Sequence, residues 1–518
     1  MKRLNLFSTI SKKISLLSEI NIISWLTLLS SLIAWRVIYI QQGWINDDSV
    51  LYFEMARLFS LGEWSAGNAL FNWPFYPILL AGLHQISGAS FQLSAQILNI
   101  IFFAISTFSF LSIIRLSGGN QLTILCGALL LLSSAYIVGD ILPMLLRDQG
   151  FWAFFLTSIY FFIQFYRQKT VKTALLWQSC ALIAVLFRIE AVTFLIFLPF
   201  IFLIETKFKG FKVWALANCL VILIAGILLL SMKFNLSLSP ADLGRANDIF
   251  NLLSDGFTQK IISFNEKASV IGEQVLGDFL HDYSMLVLIV GLLAILAIKS
   301  ALTAGWVCLG LFVYKFREAR HLIARDALKI FYWLIALALI NATLILFNVF
   351  VLSGRYIISL SFILLILCTF CLALLLKQSQ QANNKILLSI ILAALLLSFF
   401  NNLLPKNSAY NYEQQAVAWL KNTEKVDEKR VFYVSPRARY YAGAPYQGRG
   451  YDYWTYTQQS IADKSIYGYD YLLINLNKNK ELKQQEQILT EKLPHYRLIH
   501  TVYGFKNKKK ILIYKKVS

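Results

Sequence analysis

Asp47 and Asp48 are adjacent carboxylates just past the first long apolar run, which extends from about Ile20 to Ile40. They open a loop of about 50 residues rich in Trp, Pro and Tyr. A carboxylate in such a place can take a proton from a hydroxyl nucleophile, which is general-base chemistry. Other ionisable groups also sit at the ends of apolar runs: Asp140, Arg147 and Asp148; Arg188 with Glu190; and Arg355 beside Tyr356. Guanidinium groups hold phosphate in bidentate geometry. Acids and arginines together therefore suit transfer away from a phosphate leaving group.

Arg188 and Glu190 are the most informative of these residues. They interrupt the nearly continuous apolar stretch ALIAVLFRIEAVTFLIFLP, where Ser or Gly would suffice for a turn between two helices. Ionisable groups in or near a bilayer are costly and are functional candidates by default. The competing reading is a salt bridge that ties two helices together.

The elements that must position these groups are membrane helices. The chain has 518 residues, 57% hydrophobic and 15% charged, with a mean hydropathy of +0.59. A soluble chain carries charge on about a quarter of its residues. The apolar residues come in blocks long enough to cross about 30 Å of hydrocarbon as helices. A β-barrel would show alternating segments of about ten residues instead.

The expected fold is thus a polytopic α-helical membrane protein. Crossings are expected at 20–40, 93–115, 121–138, 149–166, 173–187, 190–204 and 212–232. One long tilted helix is preferred over 284–314, alone or as a crossing plus an interfacial piece. Further crossings follow at 330–350, 356–376 and 384–404. The sum is about 11, with 12 or 13 if 284–314 crosses more than once. Residues 1–404 then form a transmembrane domain with a first outer loop at 41–90 and a long one at 233–283. Residues 5–19 read as an amphipathic surface helix, and Ser49–Leu61 as an interfacial helix within the first loop.

Composition shifts at Pro405. Residues 405–518 hold 20 Lys and Arg against 10 Asp and Glu. They read as a small α/β domain, with strands at Val431–Val434 and Tyr471–Leu476, helices at Glu413–Lys421 and Glu481–Lys492, and a closing hairpin from His500–Phe505 and Lys510–Lys515. The tract Tyr440–Tyr456 interleaves aromatic rings with arginine. Arg437, Arg439 and Arg449 could there meet a sugar or a phosphate, or simply form a packing loop.

The net charge of +20 is scattered over the loops beside the apolar runs. That pattern fits the positive-inside rule and contact with anionic membrane lipids, and argues against nucleic acid as a partner. Cys368 and Cys371 spell C-x-x-C inside an apolar run, far from the water or positive charge that a metal or redox thiolate needs. No His spacing suggests a metal, so neither a metal nor another cofactor is expected. The N-terminal region reads as a signal anchor with its start in the cytoplasm.

One reaction suits this pattern. Glycosyl transfer from a polyprenyl-phosphate sugar needs a carboxylate base for the acceptor hydroxyl, cations for the leaving phosphate, and a site at the membrane surface. Four stretches also resemble the GT-C superfamily of polyprenyl-phosphate-sugar-dependent glycosyltransferases, which includes protein O-mannosyltransferases and the lipid A aminoarabinose transferase. They are NDDSVLYFEMARLFSLGEW (46–64), LLRDQGFWAFFLTSIYFF (145–162), FRIEAVTFLIFLP (187–199) and SGRYIISLSFILL (353–365). The tail from EQQAVAWLK onward is similar to the periplasmic domain of many bacterial members.

The resemblance implies an inverting hexosyl- or pentosyltransferase on the periplasmic face of a bacterial inner membrane. Asp47 would be the base, supported by Asp48. Tyr52, Arg147, Asp148, Arg188, Glu190, Arg355 and Tyr356 would bind substrate. Gln149 stands where many members have a second acid or Pro. The acceptor could be a glycan, a lipid or a protein. The alternative reading is a polytopic transporter or flippase of a lipid-linked or anionic substrate. Transporters place charge in mid-helix and show repeated halves, whereas here the charges sit at helix ends and no repeat is visible.

Overall fold

A computed structural model of the chain describes residues 18–41, 45–233, 257–379, 382–406, 411–424, 430–448, 452–477, 482–504 and 509–517. The expected surface helix at 5–19, most of the first half of the 233–283 loop, and Arg449 lie outside the described residues.

Among the described residues, seven helices are long and apolar enough to cross a membrane. They are Glu19–Ile40, Phe91–Leu116, Ile189–Thr206, Asp278–Ala304, Arg325–Val349, Gly354–Lys377 and Asn384–Asn402. An eighth arises if Gln121–Leu132 and Ala135–Met144, bent by 42°, count as one. This is the pattern of a multi-pass helical membrane protein. The expected crossings at 149–166 and 173–187 are the helices Asp148–Gln168 and Val171–Phe187, the first less apolar and the second shorter than those seven. That at 212–232 divides at Asn218 into Phe211–Ala217 and Cys219–Lys233.

The single long helix expected over 284–314 does not form. Ser284–Ala304 ends at Gly305, whose φ of +89° lies in the region that an L side chain rarely adopts. A second helix, Trp306–Ala319, starts from there. Apolar periodicity runs through Gly305 unbroken, so hydropathy alone could not mark the break.

The chain divides into two compact units that interleave in sequence. One comprises Met1–Trp35, Ile97–Leu142 and Arg147–Asn402. Its central helix is Gly354–Lys377, with 89% of its apolar window buried, against 17% for Asp278–Ala304 and Asn384–Asn402. A helix that is apolar all round belongs inside a bundle, and the outer two carry apolar side chains on their exposed faces. Cys368 and Cys371 are fully buried in the central helix.

Within this unit the polar contacts gather at two levels. At one, Arg115 pairs with Glu19 at 3.1 Å, Arg167 with Asp326 at 2.5 Å and Lys329 with Glu205 at 2.7 Å. The Ala324 amide also donates to Ser117 O at 2.9 Å. The basic stretch around 315–325 therefore shares an end with the start of the first helix. Arg167 and Asp148 close opposite ends of one 21-residue helix, about 30 Å apart at 1.5 Å per residue. That length matches the thickness of a bilayer's hydrocarbon.

The other unit comprises Arg36–Gln96, Pro143–Leu146 and Leu403–Ser518. The loop after the first helix thus packs with the C-terminal part of the chain. A four-stranded sheet of order β1-β2-β4-β3 forms its core. The strands are β1 (Val431–Tyr433), β2 (Tyr471–Asn477), β3 (Tyr496–Tyr503) and β4 (Lys509–Lys516). β1 and β2 are parallel, and the other pairs antiparallel, with β3 and β4 as the expected hairpin.

Side chains alternate across the sheet with the period of two that strand geometry dictates. Leu473, Ile511 and Ile513 pack on one face against Ala416, Val417 and Leu420 of the helix Tyr412–Glu424. Leu472, Ile474 and Leu512 pack on the other against Ile461 and Leu489, from the helices Tyr453–Ala462 and Leu482–Lys492. Both faces are covered, which is why β2 and β4 read as near-continuous apolar runs.

Candidate functional site

In the helical unit, the turn at Arg188 carries the densest cluster of buried charge. Val171–Phe187 ends there, and Arg188 itself is extended at φ −145° and ψ 120°. Its guanidinium pairs through Nη1 with Asp148 Oδ1. Nε and Nη2 each reach a carboxylate oxygen of Glu190 at 3.3 Å. The guanidinium carbon stands 4.8 Å from the centre of the Tyr356 ring, a cation–π contact. Arg355 approaches the other oxygen of Asp148, with Nη1 3.5 Å from Oδ2.

Local structure explains why these groups meet. Asp148 starts its helix, where an acid is favoured by the helix dipole. Gly150 follows two residues later, and a Cβ there would stand 2.2 Å from the Phe187 ring. Only glycine lets that ring seat against the helix, which brings the next residue, Arg188, onto Asp148. Asn341 secures the far side of the turn, accepting from Thr193 Oγ1 at 3.2 Å and donating to Glu190 O at 3.5 Å.

The side chains of Arg188 and Asp148 are 5% and 1% exposed, that of Arg355 24%. Arg147, also buried, adds its field to Asp148 and Glu190. Three guanidiniums thus gather around Asp148 and Glu190, and Asp140 adds its negative charge at Tyr136 beside them. Arg188 is saturated by its own partners, so the expected salt bridge between helix ends is present. Arg355 keeps the looser contact and the greater exposure.

The other unit holds Asp47, Asp48 and Tyr52. Asn46 caps the helix Asp47–Ser60, accepting from the Asp48 amide at 2.9 Å, and Ser49 completes a capping box. The Ser49 hydroxyl donates to Met144 O at 2.5 Å. Asp47 and Asp48 are the first two helical residues, where their charge is favoured. Tyr52 is 2% exposed and packs edge-on against Tyr76 at 5.5 Å.

Asp47 has partners from the C-terminal part. Tyr453 donates its hydroxyl to Asp47 Oδ2 at 3.0 Å. Arg437 Nε lies 2.9 Å from Asp47 Oδ1 and 2.8 Å from Glu413 Oε2. One N–H faces two carboxylates and is directed squarely at neither, so the attraction is Coulombic and shared. Ser435 caps the helix Pro436–Ala442 that carries Arg437, and its hydroxyl donates to Glu413 Oε1 at 2.6 Å. Asn475 Nδ2 donates to the same oxygen at 3.0 Å.

Burial pushes the Glu413 carboxyl above its usual range; Arg437 opposes that shift and Asp47 adds to it. Burial works against the Arg437 charge, but Glu413 and then Asp47 hold it well above the ordinary value. Burial and then the Asp47 charge push the Tyr453 phenol up, so it donates rather than ionises. The arrangement presents Asp47, a third exposed along its side chain, as a carboxylate anchored on two sides.

Arg437, Tyr453 and Glu413 were not expected from sequence as partners of Asp47, nor was Tyr136, which feels the charges of Asp148, Arg355 and Arg188. The aromatic and arginine-rich tract was the only signal for the first two. Nothing local distinguishes Glu413 from the other acids of an amphipathic helix. Among the described residues, no three His, Cys, Asp or Glu side chains are placed to hold a metal ion. No protein-family model matches the chain, and no curated protein does.

Proposed function

We propose that the chain is an integral-membrane glycosyltransferase of the GT-C type. It moves a sugar from a polyprenyl-phosphate donor to an acceptor hydroxyl on a glycan, a lipid or a protein. The observation that carries this reading is the gathering of three guanidiniums around Asp148 and Glu190, about one bilayer thickness from the basic end of the same helices. An amphiphilic phosphate has its headgroup at that level and its chain in the hydrocarbon.

In this mechanism the acceptor oxygen attacks the anomeric carbon and the bond from that carbon to the phosphate oxygen breaks. Asp47 accepts the acceptor's proton, Arg437 and Tyr453 keep Asp47 oriented, and Asp48 supports the charge at the helix start. Polyprenyl phosphate leaves with the electron pair; within the helical unit, Arg355 and Arg147 are the groups proposed to bind such a phosphate. Attack opposite the leaving group inverts the anomeric centre.

The same reading has about 11 crossings in a bacterial inner membrane. The basic end is cytoplasmic by the positive-inside rule, and the Asp148 end and the C-terminal domain are periplasmic. A reporter fused after Ser518 should then be active only outside the cytoplasm. Mass spectrometry of envelope glycans and lipids, with and without the gene, tests the activity itself. A missing sugar substituent supports transfer. An unchanged envelope combined with loss of uptake or export of a lipid-linked substrate points to the transporter instead.

A further inference from the structure

The helix that begins at Asp47 lines a cleft of about 230 Å³ with Val50, Phe53, Glu54 and Arg57. Pro436, Arg439 and Tyr440 face it from the short helix that also carries Arg437, with Phe91 and Tyr446 at its margin. Four of its lining residues, Phe53, Phe91, Tyr440 and Tyr446, are aromatic. Phe53 and Tyr440 have ring centres 5.5 Å apart, and Gln92 holds the Tyr440 hydroxyl at 2.8 Å.

The charge in this cleft is unbalanced. Arg57 is already paired in bidentate fashion with Glu54, at 2.9 and 2.8 Å. Arg439 has no carboxylate partner among the described residues. It is 6% exposed; Nη1 donates to Pro445 O at 3.3 Å, the side chain also hydrogen-bonds to Tyr456, and Nη2 has no hydrogen-bond partner. The ionisable groups that act on it are tyrosines, Tyr456 foremost, and burial pulls its affinity for a proton down. A buried cation without a counter-ion is costly, and a bound anion would offset that cost.

We infer that this cleft binds a sugar unit bearing a phosphate or a carboxylate, its ring against Phe53, Tyr440 and Tyr446 and its acid group on Arg439. Apolar walls with one well-placed charge are the usual make-up of a small-molecule site. Asp47 lies three residues before Val50 on the same helix, about 4.5 Å along the axis. The bound unit is thus near the proposed base and would be the acceptor, an assignment that rests on the transferase reading. The binding itself does not.

The full-length protein in detergent, without any donor, is titrated with glucose, glucuronate and glucose 6-phosphate, and binding is followed by ligand-observed NMR. Both acidic sugars are expected to bind at least tenfold tighter than glucose. Arg439→Gln should abolish that preference, and Ala444→Trp, at another residue that lines the cleft, fills it while leaving Arg439 in place and should abolish binding of all three. A stronger response to glucose 6-phosphate identifies the acid as phosphate, and one to glucuronate as carboxylate. Glucose binding as tightly as the acidic sugars, a preference that survives Arg439→Gln, or no binding of any sugar overturns the inference. If Arg439→Gln does not fold, Arg439→Lys takes its place with a weakened preference expected, and Ala444→Trp remains decisive. Turnover of Asp47→Asn tests the transferase reading separately.

Discussion

Tyr453 donates a hydrogen bond to Asp47 at 3.0 Å, joining two residues 406 positions apart in sequence. Arg437 reaches the other oxygen of the same carboxylate. The carboxylate beside the first apolar helix is therefore held by the C-terminal part of the chain. In the proposed reaction that hold keeps Asp47 aimed.

Asp47→Asn keeps the shape and the helix start but removes the base. General-base catalysis contributes about 10²- to 10⁴-fold, so turnover of a labelled polyprenyl-phosphate sugar should fall by that factor. Expression and thermal stability serve as controls. Normal turnover in a well-folded Asp47→Asn protein would sink the assignment.

Arg437→Gln leaves Asp47 and Glu413 without their shared cation. Breaking a fully buried pair costs about 3–5 kcal/mol. Asp47 is a third exposed, so about 2 kcal/mol is expected after solvent screening. Adding Glu413→Gln should restore part of the loss, because the remaining buried carboxylate is then neutral. Strictly additive effects in that double-mutant cycle would mean the two side chains do not interact.

Glu413 also makes a pH-dependent contribution. Its folded-state carboxyl lies above the usual range, so the folded chain binds a proton that the unfolded chain has released. The associated stability is fully present below the ordinary carboxylate pKa and is lost as pH rises through the raised one. Glu413→Gln stays neutral throughout. Its melting temperature should match the parent in acid and exceed it increasingly at higher pH. An offset independent of pH would contradict the raised carboxyl.

Arg188 and Arg355 should separate stability from binding. Arg188→Met strands Asp148 and Glu190 in the helical unit and should cost about 3–5 kcal/mol, read as a fall in detergent melting temperature. Arg355 is more exposed and its ion pair is long, so Arg355→Gln should cost less than about 1 kcal/mol. In the transferase reading it should instead weaken binding of a short-chain polyprenyl phosphate. Unchanged affinity in Arg355→Gln would remove Arg355 from the phosphate site.

Gly150→Ala tests how the Arg188 turn is seated. The added methyl would overlap the Phe187 ring, and overpacking of this kind costs about 1–3 kcal/mol. A smaller ring-site residue in Gly150→Ala/Phe187→Leu should recover part of it. No recovery would mean that the helices separate rather than clash.

Much of the architecture was legible in the residues taken in order. Apolar blocks of bilayer length set the helices, because hydrocarbon tolerates only a backbone bonded to itself. Short, nearly continuous apolar runs over Tyr471–Leu476 and Lys510–Lys515 set two strands, and periodicity over Ser49–Leu61 set the helix that begins with Asp47 and Asp48. The turn at Arg188 was readable as charge that apolar surroundings would not hold without reason. Gly305 was not readable as a break, since its left-handed backbone leaves no mark on hydropathy.

What only tertiary structure decided is which charges meet. Asp148 finds Arg188 because Gly150 leaves room for Phe187. Asp47 finds Arg437 and Tyr453 because its loop packs with the C-terminal sheet rather than standing as part of the helical bundle. Tyr52 is buried in the same unit, edge-on against Tyr76. Periodicity and propensity act over a turn or a strand, whereas an ion pair depends on distance in space, and the packing of whole elements sets that distance.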